Sequence, residues 1–111
     1  MIPQIRPADF SAWVANQASE PMVLDVREPW ELETASVKPQ GFKFVPIPMG
    51  DIAKRISELP TDQPIACLCH HGRRSQQVAN YLVEKGFSQV VNVAGGIDAW
   101  SKEVDAAIAT Y

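Results

Sequence analysis

The chain has 111 residues, of which 46% are apolar and 21% charged, and its formal net charge is −3 at pH 7. This length predicts one domain, spanning residues 1–111, that buries a core without disulfides or a metal. The acidic balance argues against non-specific nucleic-acid binding, and every apolar run is too short to span a bilayer. We therefore expect neither nucleic acid nor a membrane among its partners.

The first half of the chain alternates helical and strand patterns. A helix is predicted over 7–14, because proline favours the opening turn and aromatic residues follow at helical spacing. The continuous apolar run at 22–26 predicts a strand buried on both faces, and 42–47 predicts a weaker strand interrupted by proline. Further helices are predicted over 28–33 and 52–59.

The second half continues this alternation. Strands are predicted over 65–67 and 90–93, a helix over 75–85 that stops at Gly86, and a closing helix that contains Trp100. Buried strands that alternate with helices predict an α/β fold with a parallel sheet and helices on both faces. Because ligands bind beyond the carboxyl ends of such strands, the loops that follow them are expected to form one functional rim.

The candidate reactive group is the thiol of Cys69, which opens the run Cys69-His70-His71-Gly72-Arg73-Arg74. This run joins a buried strand to a helix, and such a turn directs backbone N–H groups and the helix amino end at one point. The histidines and arginines add formal or potential positive charge. These surroundings favour the thiolate, which is the nucleophile. The sequence therefore predicts a catalytic cysteine that handles an anionic, sulfur-bearing substrate.

Other chemistries fit the sequence less well. Cys67 lies mid-strand and is interpreted as a small core residue, and its spacing from Cys69 matches neither a dithiol redox pair nor a zinc site. His70 and His71 lack carboxylate companions at suitable spacing, so no metal and no cofactor is expected. Residues 1–7 lack an export pattern, and a free reactive thiol fits a reducing cytoplasm, which is the expected compartment.

Three segments together resemble the single-domain rhodaneses, a family of sulfurtransferases. They are Leu-Asp-Val-Arg-Glu-Pro at 24–29, Cys-x-x-Gly-x-Arg-Ser at 69–75, and Asn-Val-Ala-Gly-Gly-Ile-x-x-Trp at 92–100. The resemblance covers nearly the whole chain in the correct order. It implies a rhodanese-like, five-stranded, mainly parallel sheet and a catalytic Cys69 that carries a persulfide. One departure is a longer segment at 35–44, which lacks the histidine that the family usually has there.

The resemblance also implies roles for the site residues. Thiosulfate or a similar donor would give its outer sulfur to Cys69, and cyanide or a thiol would take it away. Arg74 matches the loop-closing arginine of the family, and Arg73 is expected to face the incoming anion. The remaining residues expected to bind substrate are His70, His71 and Gly72.

Three residues are expected to support the loop: Asp25, Arg27 and Ser75. An aspartate at a strand end more often holds loops together through hydrogen bonds than acts as an acid or base. For Arg27 two interpretations stay open, an exposed ion pair with Glu28 and a scaffold beneath the loop.

Two alternative functions remain. In one, Cys69 carries sulfur between a protein donor and a protein acceptor. In the other, the same scaffold is a thiol phosphatase or an arsenate-handling enzyme. The resemblance disfavours the second, because four residues separate Cys69 from Arg74 as in sulfurtransferases, whereas the related dual-specificity phosphatases have one more.

Overall fold

The chain forms a five-stranded sheet in which every neighbouring pair of strands is parallel. The computed structural model describes residues 1–111. The strands are β1 (Gln4–Ile5), β2 (Met22–Asp25), β3 (Lys43–Pro46), β4 (Ile65–Leu68) and β5 (Val90–Val93). Their order across the sheet is β1-β5-β4-β2-β3. The largely apolar character of β2, β4 and β5 fits this position, because all residues of these inner strands are buried, including the polar Asp25 and Asn92.

Five α-helices connect and cover the strands: α1 (Phe10–Ala15), α2 (Pro29–Thr34), α3 (Ile52–Arg55), α4 (Arg73–Glu84) and α5 (Gly96–Glu103). Short 3-10 turns lie at Pro7–Asp9, Met49–Asp51 and Ile56–Glu58. None of these helices has both the length and the apolar character needed to cross a membrane.

Two apolar layers, one on each face of the sheet, form the core. Successive strand residues point to opposite faces, so each strand contributes to both layers. One layer joins strand residues to α4: Leu24, Ile65, Cys67, Val78 and Leu82. The other joins strand residues to α1 and α5: Val23, Ala66, Val91, Phe10 and Trp100. The predicted fold class, an α/β fold with a five-stranded parallel sheet and helices on both faces, is confirmed.

The predicted elements are present, with differences at their ends. The helix predicted over 75–85 begins earlier, at Arg73, because Gly72 adopts a left-handed backbone (φ 97°) that turns the chain directly into α4. The helix predicted over 52–59 is the short α3 extended by a 3-10 turn. Strand β1 has only two residues and no periodic pattern that predicts it.

The loops that follow β2, β4 and β5 meet at one edge of the sheet. The amide of Val26 donates to the carbonyl of Leu68 (2.9 Å), which joins the start of the first loop to the end of β4, directly before the second. The amide of Ile97 donates to the carbonyl of Cys69 (2.9 Å), which joins the third loop to the second. The parallel topology therefore brings the sequence motifs at 24–29, 69–75 and 92–100 together.

Candidate active site

Cys69 directly follows β4, and its sulfur has two hydrogen-bond donors. The backbone N–H of Gly72 lies 3.0 Å from Sγ, and the hydroxyl of Ser75 lies 3.3 Å from it. The sequence predicted several amides at this point; the structure directs one amide and one hydroxyl at the sulfur. Only 1% of Cys69 is exposed. A reaction partner must therefore reach the sulfur with a single terminal atom, or the loop must open.

The amino end of α5 holds the backbone of the cysteine loop. The amides of Ile97 and Asp98 donate to the carbonyls of Cys69 (2.9 Å) and His70 (3.1 Å). Gly96 permits this close approach, since a Cβ there would lie 2.5 Å from the Cys69 carbonyl oxygen and 2.4 Å from that of His70. Its positive φ of 62° also favours glycine. The Gly95–Gly96 pair thus permits the turn from β5 into α5 and the close approach of α5 to the cysteine loop.

Asp25 and Arg27 form a fully buried ion pair beneath the rim. Arg27 Nε donates to Asp25 Oδ1 (2.9 Å) and Arg27 Nη2 to Oδ2 (2.7 Å), and both side chains are 0% exposed. Burial by itself lowers the pKa of Arg27, but the hydrogen bond and attraction from Asp25 leave it raised above its ordinary value. The interpretation of Arg27 as an exposed partner of Glu28 is wrong, because the guanidinium turns inward to Asp25 and to the carbonyls of Glu31 (3.2 Å) and Ala35 (2.9 Å).

Arg74, the last residue of the cysteine loop (residues 69–74) and the second residue of α4, forms a two-pronged ion pair with Glu31 of α2. Arg74 Nη1 donates to Glu31 Oε1 (2.6 Å) and Nη2 to Oε2 (2.8 Å). The carboxylate also accepts from the backbone N–H of Glu28 (3.1 Å), which completes a capping box at the start of α2. Bidentate pairs of this kind fix the relative orientation of the two side chains in addition to neutralising their charges. The pair therefore holds Arg74 in place against α2.

The hydrogen bonds from Arg74 hold the pKa of Glu31 at about 2, against the opposing effect of burial. A folded-state pKa below the ordinary 4.5 stabilises the protein above that pH, and this contribution disappears as the pH falls toward 2. The shift corresponds to about 3 kcal/mol. We therefore expect wild type to exceed Glu31→Gln in free energy of unfolding near pH 6, with the difference vanishing toward pH 2.

Urea unfolding of both proteins across this pH range measures the difference. Glu33→Gln is the control, since Glu33 is an exposed carboxylate on the same helix. If the free energies of unfolding of wild type and Glu31→Gln differed by the same amount at every pH, the prediction would be contradicted.

Three aromatic rings stack at the start of the loop. His70 lies between His71 and Tyr111, with ring centroids 3.8 Å apart on each side. Burial first, and the neighbouring His71 second, lower the pKa of His70. The neutral imidazole is therefore the favoured form in this stack.

Asp98 completes a group of potential metal ligands with His70 and His71, whose ligand atoms lie within 4.8 Å of one another. The premise that these histidines lack a carboxylate companion is therefore wrong, because the fold brings Asp98 to them from α5. The two imidazole rings are stacked on each other, with centroids 3.8 Å apart. Asp98 is already paired with Lys102 at 2.9 Å. The expectation that no metal binds here stays a prediction.

Arg73 lies in the first turn of α4 with its side chain exposed, and it forms no ion pair with a carboxylate. It is therefore a free cation beside the loop. The structure brings all the other sequence-predicted site residues to the same rim: Asp25, Arg27, Cys69, His70, His71, Gly72, Arg74 and Ser75.

Sequence reasoning assigned no role to three residues that contact this group. Glu31 pairs with Arg74, Tyr111 stacks on His70, and Asn92 donates to the carbonyl of Gly72 (3.1 Å). Glu31 had a usable signal, as it lies three residues after the helix cap Glu28, where a capping box places an acid. A local pattern could not have found Tyr111, since its partners are distant in sequence.

Comparison with known proteins decides the family. The model of the rhodanese-like domain matches residues 7–103 of this chain. The chain belongs to the rhodanese-like domain family. A rhodanese-related protein from Thermoplasma volcanium has the same fold, with a TM-score of 0.78 and 31% identity over 92% of this chain and 93% of that one.

Several curated relatives of the rhodanese-like domain are similar in sequence. "Rhodanese-like/PpiC domain-containing protein 12, chloroplastic" of Arabidopsis thaliana is 46% identical over 83% of this chain and 31% of its own length. "Putative sulfur carrier protein YrkF" of Bacillus subtilis is 36% identical over 94% of this chain and 54% of its own. "Thiosulfate sulfurtransferase GlpE" of Pseudomonas syringae is 37% identical over 71% of each. The chain thus spans about a third and about half of the first two relatives.

Proposed function

We propose that residues 1–111 form a single sulfurtransferase domain in which Cys69 carries sulfur as a persulfide. The observation that carries this proposal is the pair of donors, Gly72 N–H and Ser75 Oγ, at 3.0 Å and 3.3 Å from the Cys69 sulfur. Charge-assisted hydrogen bonds from such fixed donors stabilise an anionic sulfur. The relative named thiosulfate sulfurtransferase supports the same chemistry.

The reaction takes two steps. The Cys69 thiolate attacks the outer sulfur of thiosulfate, a new sulfur–sulfur bond forms at Sγ, and sulfite leaves with the electron pair of the broken bond. Cyanide or a thiolate then attacks the terminal sulfur of the Cys69 persulfide, takes it, and returns the thiolate. The transfer is thereby divided into two easier displacements, with a covalent intermediate between them. No external oxidant or reductant is needed, because each displacement moves one sulfur atom and leaves the electron pair of the broken bond on the departing group.

The loop residues would bind the donor through backbone and charge. The small exposure of Cys69 suits a donor that presents one terminal sulfur. Arg73 would attract the anion, while Arg74 keeps the loop closed through Glu31. The rings of His70 and His71 would form one wall of the entrance. Such a free thiol functions in a reducing compartment, which makes the cytoplasm the proposed location.

A mass measurement on the intact protein tests the proposal. Thiosulfate alone should add the mass of one sulfur atom to the protein, peptide mapping should place it on Cys69, and cyanide should remove it. The absence of added sulfur with thiosulfate, persulfides of small thiols and persulfidated proteins would overturn the proposal.

A second candidate is a carrier that exchanges sulfur only with proteins. The similarity to a relative named putative sulfur carrier protein favours it. The same measurement separates the two functions. A carrier should acquire sulfur on Cys69 from a persulfidated donor protein, and should remain unmodified by thiosulfate at concentrations that saturate known thiosulfate enzymes.

Replacing Arg73 by alanine is expected to raise the KM for thiosulfate by about fivefold with little change in kcat, since one exposed charge contributes about 1 kcal/mol to attraction of an anion. Steady-state kinetics at low and high salt measure the effect, which should shrink as salt screens the charge. Lys85→Ala, which removes a cation just beyond the far end of α4, is the control. An unchanged KM in Arg73→Ala would remove this role.

A further inference from the structure

Tyr111 contacts one end of the cysteine loop directly, at His70, and is linked to the other end through Glu31, although it lies far from all of them in sequence. Its ring stacks on His70, the first residue after Cys69, and its hydroxyl bonds to Glu31, the partner of Arg74 at the loop's end. We propose that Tyr111 is a positioning residue that holds the two ends of the loop over residues 69–74 in place. The expected effect of Tyr111 on sulfur transfer rests on the proposed function, whereas its effect on the position of the loop does not.

The hydroxyl of Tyr111 links the two ion pairs of the site. It accepts a hydrogen bond from Arg27 Nη1 (3.0 Å) and donates one to Glu31 Oε2 (2.7 Å). Arg27 is fully buried in its pair with Asp25 and cannot move without leaving a buried charge unpaired. The Tyr111 hydroxyl is thus hydrogen-bonded to the buried Arg27–Asp25 ion pair and is linked, through Glu31, to Arg74.

The ring of Tyr111 holds the first end of the cysteine loop, at His70. Its plane lies 6° from that of His70, with centroids 3.8 Å apart. Trp30 also contacts the Tyr111 ring in an edge arrangement, with centroids 5.8 Å apart and an interplanar angle of 76°. Burial raises the pKa of the phenol, which keeps its proton available for Glu31 at neutral pH.

One donor to the sulfur lies between the two ends of the loop, and the other lies just after its second end, in the first turn of α4. Gly72 lies inside the loop, and Ser75 comes directly after Arg74. If either end moves, the 3.0 Å contact between the Gly72 amide and Sγ is lost. Tyr111 therefore acts on the reacting sulfur through the loop, without touching it.

Two substitutions separate the contributions of ring and hydroxyl. Tyr111→Phe keeps the stack on His70 and removes the link between Arg27 and Glu31, whereas Tyr111→Leu removes both. Amide hydrogen exchange of residues 70–74 should rise about threefold in Tyr111→Phe and about tenfold in Tyr111→Leu, as expected for the loss of one or two local contacts. Exchange in β4 and β5 should stay unchanged.

Kinetics provide the second measurement. Tyr111→Leu should lower kcat for thiosulfate by about tenfold with little change in KM, and Tyr111→Phe should recover most of the loss. Tyr81→Phe and Tyr81→Leu are the matched controls on α4, and they should leave exchange in the loop at the wild-type value.

The hydrogen-exchange measurement does not depend on whether the wild-type protein accepts sulfur from thiosulfate. Failure of the proposed function is therefore distinguishable from failure of the proposed positioning role of Tyr111. Unchanged exchange of residues 70–74 in folded Tyr111→Leu would overturn the proposal. An equal rise throughout the sheet would also overturn it, because it would indicate general destabilisation instead of positioning.

Discussion

Replacing Cys69 by serine is expected to abolish sulfur uptake and to lower turnover with thiosulfate and cyanide by about three orders of magnitude or more, as the loss of a covalent nucleophile does in other enzymes. A serine hydroxyl is a far poorer nucleophile toward sulfur and cannot form a persulfide. The fold should persist, because the substitution keeps the size of a side chain that accepts hydrogen bonds from Gly72 and Ser75. Mass spectrometry and a thiocyanate assay measure the two effects.

Cys67 provides a matched control two residues away. It is 0% exposed, and burial first and the neighbouring Cys69 second raise its pKa to about 12. A thiol with these properties is a core residue without nucleophilic character near neutral pH. Cys67→Ala should therefore take up sulfur as the wild type does, with a modest loss of stability from the small cavity. Sulfur transfer by Cys69→Ser, or loss of uptake confined to Cys67→Ala, would reverse the assignment of the two cysteines.

The sheet and its functional edge could be predicted because their signals are local. Continuous apolar runs such as Met22–Asp25 and Ile65–Leu68 indicate strands covered on both faces, and their alternation with helices leaves a parallel topology. That topology then places the loops after these strands at one edge without any knowledge of their contacts. The position of Cys69 beside Asp25 and Arg27 follows from these two steps.

The partners of the charged side chains could not be predicted in the same way. Arg27 is followed by an acid, Glu28, and the local pattern is compatible with an exposed pair. The structure buries Arg27 completely, because Asp25 and two backbone carbonyls offer acceptors inside. The choice between Glu28 and Asp25 depends on which direction the chain leaves β2. This is a property of the packed fold and not of the sequence pattern.

The number of donors to the sulfur was also beyond sequence reasoning. A glycine-containing turn before a helix permits several amides to converge, but the backbone angles of each residue decide which ones do. Here Gly72, with φ of 97°, turns its own N–H toward Sγ, and the hydroxyl of Ser75 supplies the second donor. Residues Glu31 and Tyr111 reach the loop only through tertiary structure.

Replacing Arg27 by methionine is expected to lower the free energy of unfolding by about 3–5 kcal/mol, the usual result of removing one partner from a buried ion pair. The loss arises because Asp25, which is 0% exposed, is left buried without the guanidinium that paired with it. The carbonyls of Glu31 and Ala35 and the hydroxyl of Tyr111 also lose a donor. Urea unfolding followed by circular dichroism measures the change.

A double substitution distinguishes an unpaired charge from lost packing. Asp25→Leu combined with Arg27→Met removes both charges, so it should be less destabilised than the sum of the two single variants by about 1–3 kcal/mol. Arg55→Met, which breaks an exposed pair with Glu58, is the control and should leave the unfolding midpoint almost unchanged. Simple additivity of the Asp25 and Arg27 effects would mean that the two side chains stabilise the rim independently, and that the ion pair is not what anchors the segment beneath the cysteine loop.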